Sequence, residues 1–282
     1  MITIKDIAEY YDTTQDHYRR WWNLKDSLSL HYGIWNENTK EFSESLENTN
    51  KVLLQFCNIS ESDNVLDAGC GVGGAAFFIN ERTNAQVTGI SISENQIKLA
   101  KEMAIEKQKE DRINFLVMDF TKTTFQDQSF DVVWACESVC HASNKAEFIN
   151  ECYRLLKKDG RLILSDFFLP TEKQNDKNRW IDKWKQTWGV PNFVTSTYFT
   201  DELRNKGFSS VEEFDFTDRI RKSARRMYYA SILGALPSEL YNLFNPDVSK
   251  FAKSHYKSGF YQYKALQENL WKYKIVYAKK IG

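Results

Sequence analysis

Short apolar runs alternate with amphipathic segments through the middle of the chain. The runs are NVLDAG, QVTGIS, INFLVMD, FDVVWAC and RLILSDFF, and each has the length of a strand that is buried on both faces. Between them, Glu94 to Glu110 and Lys145 to Lys158 have the spacing of helices, the second closed by Asp159 and Gly160. Because strands that alternate with helices pair through right-handed crossovers, the pattern predicts an α/β fold with a doubly wound, mostly parallel sheet.

The two ends of the chain differ from this middle part. Residues 7–23 and the segment EFSESLENTNKVLLQFCNI have apolar residues at helical intervals. After Phe168 the pattern is mostly helical to about Asn269, with one strand, VEEFDF. LWKYKIVYAKK then alternates apolar and polar residues, which predicts a final strand at or near a sheet edge.

Composition and charge exclude several classes of protein. The 282 residues include 38 Lys and Arg against 38 Asp and Glu, without a run of five like charges, which argues against a partner that is nucleic acid or an anionic membrane. Hydrophobic residues make up 42% of the chain, which excludes disorder as the main state. No uncharged stretch reaches the roughly 20 residues of a membrane-spanning helix, and the first residues lack the apolar core of a secretory signal. Five cysteines form no CxxC pair, so we expect free thiols, no metal site and a cytoplasmic location.

A glycine-rich turn follows the first strand of the sheet. DAGCGVGG satisfies GxGxxG through Gly69, Gly71 and Gly74, in the strand-to-helix context of a nucleotide site. A dinucleotide site also needs an acid about 20 residues further on, and residues 89–91 supply none. Asp67 instead places a carboxylate at the end of the strand, where it suits a ligand with a cationic amino-acid end. The alternative is a tight turn whose glycines only permit packing.

Four segments together resemble a known family. VLDAGCGVGG, VTGISISENQIKLAKE, MDF and ACESVCHASNKAEFINECYRLLKKDGRLILSDF are similar to class I S-adenosylmethionine-dependent methyltransferases, nearest to the group of sterol C-methyltransferases, γ-tocopherol methyltransferase and cyclopropane fatty-acid synthases. The resemblance implies a Rossmann-like core that binds the cofactor in residues 61–170. It also implies an N-terminal helical lid in residues 1–60 and, in residues 171–282, a helical insertion that binds the acceptor, plus the closing strands of the same domain.

The same resemblance implies a set of residues that bind S-adenosylmethionine. They are His31, Tyr32, Asp67, Gly69, Cys70, Gly71, Ser91, Ile92, Gln96, Asp119, Phe120 and Cys136. Asp67 would lie near the methionyl amine, and Cys136 would contribute its backbone carbonyl. His31 and Tyr32 would fold over the methionyl end, while the glycine loop would pack against the cofactor.

The ribose and the adenine would be held by the ends of the second and third strands. Ser91, Ile92 and Gln96 match the ribose segment, although many class I enzymes carry an acid there. Serine and glutamine would therefore replace that acid. Asp119 and Phe120 match the adenine pair, in which the carboxylate accepts a hydrogen bond from the exocyclic amine and the ring packs against the purine.

Methyl transfer mainly requires alignment of the acceptor, because the cofactor carries most of the chemical difficulty. Glu137 and His141 follow the fourth strand at i and i+4 and are the catalytic candidates; the alternative is that Glu137 positions the cofactor and His141 caps a loop.

Two groups of residues are candidates for contact with the acceptor. Trp180, Trp184 and Trp188 recur every fourth residue, which is typical of a core stripe or of a pocket wall. Arg225 and Arg226 belong to a basic segment, which forms either a solvated helix face or a site for a phosphate or carboxylate on the acceptor.

The prediction for function is methyl transfer to a small lipophilic acceptor, such as an isoprenoid, a sterol or an aromatic metabolite, at carbon or oxygen. One alternative is an N-methyltransferase for a small amine, with an aromatic cage around the developing ammonium. Another is a cofactor-binding protein without catalysis. We expect a small-molecule partner and no nucleic acid, and the sequence indicates no oligomeric state.

Overall fold

Seven strands form one sheet in the part of the chain that the computed structural model describes, which is residue 3 and residues 5–9, 11–12, 28–246 and 249–281. The strands are β1 (Asn64–Ala68), β2 (Gln86–Ser91), β3 (Ile113–Val117), β4 (Phe130–Cys136), β5 (Leu156–Phe168), β6 (Phe208–Asp215) and β7 (Lys272–Lys280). Their order is β3-β2-β1-β4-β5-β7-β6. β1 to β5 pair in parallel, and β7 pairs antiparallel with β5 and β6. The predicted doubly wound, mostly parallel α/β sheet is confirmed.

Helices cover both faces of this sheet. They are α1 (Phe42–Cys57), α2 (Gly74–Thr83), α3 (Glu94–Glu106), α4 (Lys145–Leu155), α5 (Trp180–Trp188), α6 (Ser196–Lys206), α7 (Arg221–Phe244), α8 (Lys250–Ser254) and α9 (Tyr256–Gln267). Alternate residues of the central strands enter different hydrophobic clusters, as the two-residue period of a strand requires. Val132 and Trp134 pack with α1, α2, α3 and α5, whereas Val133 and Ala135 pack with α4 and α6. The central strands of the sheet are therefore buried on both sides.

The boundary between α4 and β5 corrects the sequence prediction. The helix ends at Leu155, and the residues predicted as its last turn and cap belong to β5. The pairing of β4 with β5 jumps from Phe130↔Leu156 to Val132↔Arg161, so the intervening residues form a bulge. Asp159 within the bulge has φ 63°, and its carboxylate lies 2.9 Å from Lys279 Nζ. β5 starts early because Leu156 is fully buried beside β4.

The closing strand lies one place from the edge of the sheet, as predicted. β7 inserts between β5 and β6, which makes β6 the edge strand. Tyr273 and Ile275 face one side of the sheet and are fully buried, as are Val276 and Ala278.

The predicted lid region, residues 1–60, contains two kinds of structure. The predicted helix over residues 7–23 lies largely outside the described residues, although residues 5–9 and 11–12 are helical. α1 packs against β5 and β7, and Leu53 and Cys57 are fully buried there. The segment 28–31 borders the cavity described below, as do Ile7 and Tyr11, so a lid role remains a prediction for this segment and for residues 5–9 and 11–12. No helix in the described ranges combines the length and the apolar character that a bilayer span requires.

Candidate active site

A cavity lies at the carboxyl ends of β1, β2 and β4, where ligands bind in open α/β sheets. Of the predicted site residues, it brings together His31, Asp67, Gly69, Cys70, Gly71, Ser91, Ile92, Gln96, Phe120, Cys136, Glu137, His141 and Trp188. Its lining does not include Tyr32, Asp119, Trp180, Trp184, Arg225 or Arg226. Gly74, the third glycine of the motif, also lines the cavity. Further lining residues were not predicted from the sequence, namely Ile7, Tyr11, Leu28, Ser29, Leu30, Val72, Ala75 and Ser138.

The glycine loop is shaped by β2 and by the loop after β4. The backbone N–H groups of Gly69 and Cys70 both donate to the carbonyl of Ile90, at 2.9 Å. Gly69 has φ 93°, and a Cβ there would lie 2.3 Å from Ser138 Cβ. Gly71 has φ 55°, and no atom lies within 4 Å of the position that its Cβ would take. Gly69 is thus needed for the fold, whereas Gly71 leaves open space on the cavity wall.

This difference predicts two separable alanine variants. Gly69→Ala is expected to lower the free energy of unfolding by about 3 kcal/mol or more, because it combines an unfavourable φ with a clash. Gly71→Ala is expected to cost only about 1 kcal/mol of stability but to weaken cofactor binding at least ~10-fold, because its methyl group would enter the cavity. Urea unfolding and calorimetric titration measure the two effects. Gly234→Ala, in open space on α7, serves as the control and should stabilise by about 0.5–1 kcal/mol. Equal losses of stability and of binding in both loop variants would contradict this division.

Asp67 ends β1 as a buried carboxylate without a complete set of partners. The residue is 1% exposed, and its Oδ2 has no hydrogen-bond partner. Burial raises the pKa of Asp67 to about 7, an effect that the backbone N–H of Ala76 opposes. An unpaired oxygen that lines a cavity in this way is suited to a cationic ligand group, because an opposite charge offsets the cost of burying the carboxylate.

The side chains at the end of β2 form a small hydrogen-bonded group. Ser91 Oγ donates to Gln96 Oε1 at 2.8 Å, and Ser93 Oγ caps α3 by accepting from the backbone N–H of Gln96 at 3.1 Å. The amide nitrogen of Gln96 could donate to a ligand hydroxyl, and its Oε1 retains a second lone pair that could accept from one. The end of β2 therefore offers uncharged hydrogen-bonding side chains at the position where many class I methyltransferases have an acid.

The predicted adenine pair is split between the cavity and its surroundings. Phe120 lines the cavity and packs edge to face on Phe148, with ring centres 5.4 Å apart. Asp119 lies outside the lining, and its Oδ1 accepts from the backbone N–H and the hydroxyl of Thr121, both at 2.8 Å. Its contact with the adenine remains a prediction.

His31 presents an acceptor to the cavity. Its Nδ1 lies 3.0 Å from the carbonyl of Tyr32 and therefore carries the proton. Nε2 is buried without a partner, and burial lowers the pKa of His31 to about 4. His31 is thus a neutral imidazole with a free lone pair.

Glu137 is held by two donors on one oxygen. Its Oε1 accepts from the backbone N–H of Tyr32 at 2.7 Å and from the hydroxyl of Tyr273 at 2.8 Å. Burial raises the pKa of Glu137 well above its usual value, despite these two hydrogen bonds. Tyr32 and Tyr273 therefore connect the cavity to the segment before α1 and to β7.

Ligand atoms of His31, Cys136 and Glu137 lie within 4.8 Å of one another, a separation that admits a metal ion. Burial, however, raises the pKa of the Cys136 thiol and of the Glu137 carboxyl well above their usual values. Metals bind the deprotonated forms of these groups. The environment of the cluster therefore opposes metal binding.

His141 lies in a single 3-10 turn, Val139–His141, which replaces the α-helical spacing assumed in the sequence analysis. Its Nδ1 lies 3.2 Å from the carbonyl of Gly189 and donates to it, so Nε2 accepts from the hydroxyl of Tyr11 at 2.8 Å. Burial lowers the pKa of His141 to about 4. The result is a neutral imidazole whose basic nitrogen is oriented by a backbone carbonyl.

A buried lysine holds the turn that carries His141. Lys145 Nζ donates to the carbonyls of Cys140 at 2.9 Å, Ala142 at 2.6 Å and Asn192 at 3.1 Å. It thus ties the turn to the loop after α5 that contains Gly189. The sequence has no signal for this role, because most lysines on an amphipathic helix face solvent.

Of the predicted acceptor contacts, only Trp188 reaches the cavity. Trp184 is fully buried and packs on Trp188 and Trp271, with ring centres 5.6 and 5.2 Å apart. Trp180 donates from Nε1 to Glu268 at 2.8 Å and stacks on Tyr261. The stripe is therefore largely core, because its helix packs against α9.

The predicted basic contacts, Arg225 and Arg226, lie on the surface of α7 and outside the cavity lining. Arg225 and Arg226 are both exposed, and the guanidinium of Arg226 lies 4.7 Å from the ring centre of Phe42. The structure does not bring either side chain to the site.

The chain is similar to known proteins in the sequence of its central part and in its fold. Residues 66–164 match a family model described as a methyltransferase domain. The chain is 31% identical over 224 residues to 27-O-demethylrifamycin SV methyltransferase of Amycolatopsis mediterranei, an alignment that covers 78% of this chain and 80% of that protein. It is 29% identical over 213 residues to sterol 24-C-methyltransferase of Kluyveromyces lactis, which covers 74% of this chain and 56% of that protein.

A solved structure shows the same fold over nearly the whole length. Geranyl diphosphate C-methyltransferase of Streptomyces coelicolor A3(2), in complex with Mg²⁺, geranyl diphosphate and S-adenosyl-L-homocysteine, superposes with a TM-score of 0.76 at 16% identity, covering 99% of this chain and 97% of that one. The resemblance in the sequence and the assignment of S-adenosylmethionine as cofactor are confirmed. The chain therefore belongs to the class I S-adenosylmethionine-dependent methyltransferases.

Proposed function

We propose that this methyltransferase acts on a hydroxyl oxygen or a carbon atom of a small lipophilic acceptor, such as an isoprenoid, a sterol or an aromatic metabolite. The observation that carries the proposal is the neutral His141 beside apolar cavity walls. Ile7, Leu28, Leu30 and Trp188 line the cavity, and the lining contains no Lys or Arg among the described residues. The names of the two relatives, a rifamycin O-methyltransferase and a sterol C-methyltransferase, support the same acceptor class.

The residues present fit S-adenosylmethionine. Asp67 Oδ2 would receive the ammonium of its amino-acid end, and the space beside Gly71 would receive its body. Ser91 and Gln96 would bind the ribose hydroxyls, and Phe120 would cover the adenine. When bound, the cofactor supplies an electrophilic methyl group on a sulfonium centre.

His141 would orient the acceptor and take its proton. An acceptor hydroxyl could replace the hydroxyl of Tyr11 at Nε2, because that nitrogen needs one donor. The proton becomes strongly acidic as the oxygen gains the methyl group, so a base with a pKa of about 4 suffices. With a carbon acceptor, the ring of Trp188 would stabilise the developing cation before His141 removes a proton.

Neither alternative function is favoured by a specific observation. An amine acceptor would need an ionised carboxylate beside it, but burial raises the pKa of Glu137 well above its usual value, and we assign Asp67 to the cofactor. A protein without catalysis would turn its candidate residues away from the cleft, whereas Glu137 and His141 both line it.

A transfer assay with methyl-labelled cofactor tests the acceptor class. The panel contains a prenyl alcohol, a sterol, a hydroxylated aromatic, a prenyl diphosphate and a small primary amine. We expect label in one or more of the neutral lipophilic compounds, because the described lining offers no cation to a diphosphate. Label in the amine alone, or in the diphosphate but not in its alcohol, would overturn the proposal.

We also propose that the protein works in the reducing environment of the cytoplasm. Cys57, Cys70, Cys136, Cys140 and Cys152 are all free thiols. Four of them are buried, where they serve as small apolar side chains.

A further inference from the structure

From Tyr229 to its end at Phe244, α7 exposes a continuous apolar face. Its members are Tyr229 (56% exposed), Ile232 (46%), Leu233 (72%), Leu236 (70%), Leu240 (49%), Leu243 (72%) and Phe244 (78%). Their spacing of three and four residues places them within an arc of about 120° on the helix. The other side of α7 packs on α9, where a Cβ at Gly259 would lie 2.4 Å from Ser231 Oγ. The apolar face thus points to solvent by the geometry of the fold.

An exposed apolar face of this length requires a partner. Isolated apolar side chains are normal on a protein surface, but contiguous ones mark sites of protein or membrane contact. Leu233, Leu236, Leu243 and Phe244 are each at least 70% exposed, so packing among the described residues does not account for them.

The same helix face is basic at the start of α7. Lys222, Arg225 and Arg226 are exposed, and helical periodicity places them on the arc that the apolar residues continue. Lys222 Nζ lies 4.9 Å from the ring centre of Trp35, and Arg226 lies over Phe42. These aromatic contacts hold two of the three cations in place at the surface.

Positive charge is concentrated in this part of a chain that is neutral as a whole. Residues 221–257 contain seven Lys and Arg against two Asp and Glu. The zero net charge of the whole sequence argued against binding to an anionic membrane. A net charge of zero does not, however, exclude an excess of positive charge in one segment. The segment therefore combines apolar and basic surface on one helix.

We propose that this face of α7 docks on an anionic lipid bilayer. Leu233, Leu236 and Phe244 insert at the boundary between headgroups and acyl chains. Lys222, Arg225 and Arg226, at the start of the helix, contact the lipid phosphates. This is the arrangement of an amphipathic helix that lies in a membrane surface, strengthened by the attraction of Lys and Arg to anionic headgroups. A second copy of the chain is a poorer partner. In a parallel pair of such faces the two basic regions would repel each other, and in an antiparallel pair each basic region would lie against apolar residues of the other copy. The proposal is independent of the acceptor class.

Vesicle flotation of the full chain tests the proposal. Vesicles of phosphatidylcholine alone are compared with vesicles that contain about one third phosphatidylglycerol. We expect at least ~10-fold more protein bound to the anionic vesicles, and a marked loss of binding in ~0.5 M salt because the attraction is screened. The double variant Leu236→Ser, Phe244→Ser should bind at least ~10-fold less. Ile105→Ser, at a position on α3 that is 64% exposed, is the matched control and should bind like the original chain.

The two variants should retain affinity for S-adenosylmethionine, because Leu236, Phe244 and Ile105 lie outside the cavity lining. Three results would overturn the proposal. The first is equal binding to both kinds of vesicle, or to neither. The second is the same loss in Ile105→Ser as in the double variant. The third is a dimer in sedimentation that the double variant dissociates, without any binding to vesicles, which would make the face a contact between copies.

Discussion

Asp67→Asn is expected to weaken the binding of S-adenosylmethionine about 100-fold at pH 8. The carboxylate is buried, and its Oδ2 has no partner from the chain, so the ligand ammonium gains a charge-assisted hydrogen bond in a poorly solvated site. Such an interaction is worth about 2–3 kcal/mol when one partner is removed. Calorimetric titration with S-adenosylmethionine and with S-adenosyl-L-homocysteine measures the loss. Both ligands should lose affinity equally, because they share the amino-acid end.

The same carboxylate makes cofactor affinity depend on pH. A cationic ligand binds the ionised form of Asp67, whose pKa is about 7 in the free protein. Affinity should therefore be highest where Asp67 and the ligand ammonium are both charged, and should fall about tenfold for each pH unit below 7. Asp67→Asn should abolish this slope. Asp201→Asn, which removes an exposed carboxylate from α6, should leave both the affinity and the slope unchanged.

The stability of the free protein should decrease as the pH rises, whereas cofactor affinity increases. The pKa of Asp67 is higher in the folded protein than the usual 3.8, so folding becomes less favourable as the pH rises from about 4 to 7. Above pH 7 the penalty is complete and amounts to at most about 4 kcal/mol. Asp67→Asn should remove much of it and raise the free energy of unfolding at pH 8. A variant that loses both stability and affinity would contradict the assignment of Asp67 to the ligand.

His141→Gln is expected to reduce kcat about 100-fold and to leave the Kd for S-adenosylmethionine nearly unchanged. Glutamine keeps a polar side chain but removes the basic nitrogen, and proton transfer by a positioned base contributes at least about this much. Single-turnover transfer to the acceptor found in the screen separates the chemical step from binding. Because the pKa of His141 is about 4, kcat at saturating cofactor should stay level between pH 6 and 8.

Two control variants separate the role of His141 from those of its neighbours. Tyr11→Phe removes the hydroxyl that donates to Nε2 and should change kcat less than about threefold if the acceptor takes its place. Glu137→Gln retains an oxygen for Tyr32 and Tyr273, so it should reduce kcat less than His141→Gln and preserve cofactor affinity. Full activity in His141→Gln, or an equal loss in all three variants, would refute a role for His141 as base.

Most of the sheet and its glycine loop could be predicted from local pattern. Strands buried on both faces appear as short apolar runs, and β2 and β4 occupy the predicted segments QVTGIS and FDVVWAC. The predicted end of α4 was wrong. Leu155 and Leu156 are both buried, but the first belongs to a helix and the second to a strand. A change from helical to extended backbone between two apolar residues leaves no mark in hydrophobic periodicity.

The site residues also divide into those that local sequence predicts and those that only packing decides. Asp67 and the glycine loop are close in sequence, so their chemistry could be predicted from the strand-to-helix turn. Trp184 and Trp188 share a spacing but not a role, since only packing against Trp271 and Phe193 decides which ring reaches the cavity.

The sequence by itself determined the fold class, the cofactor and the identity of the chain as a methyltransferase, because these depend on runs of adjacent residues. Only the tertiary structure decided the partners of His141, since Tyr11 and Gly189 come from distant parts of the chain. It also decided that Lys145 is buried and that the apolar residues of α7 are exposed. The physical reason is that burial is a property of the packed molecule: the same helical periodicity describes a face turned inward and a face turned to solvent.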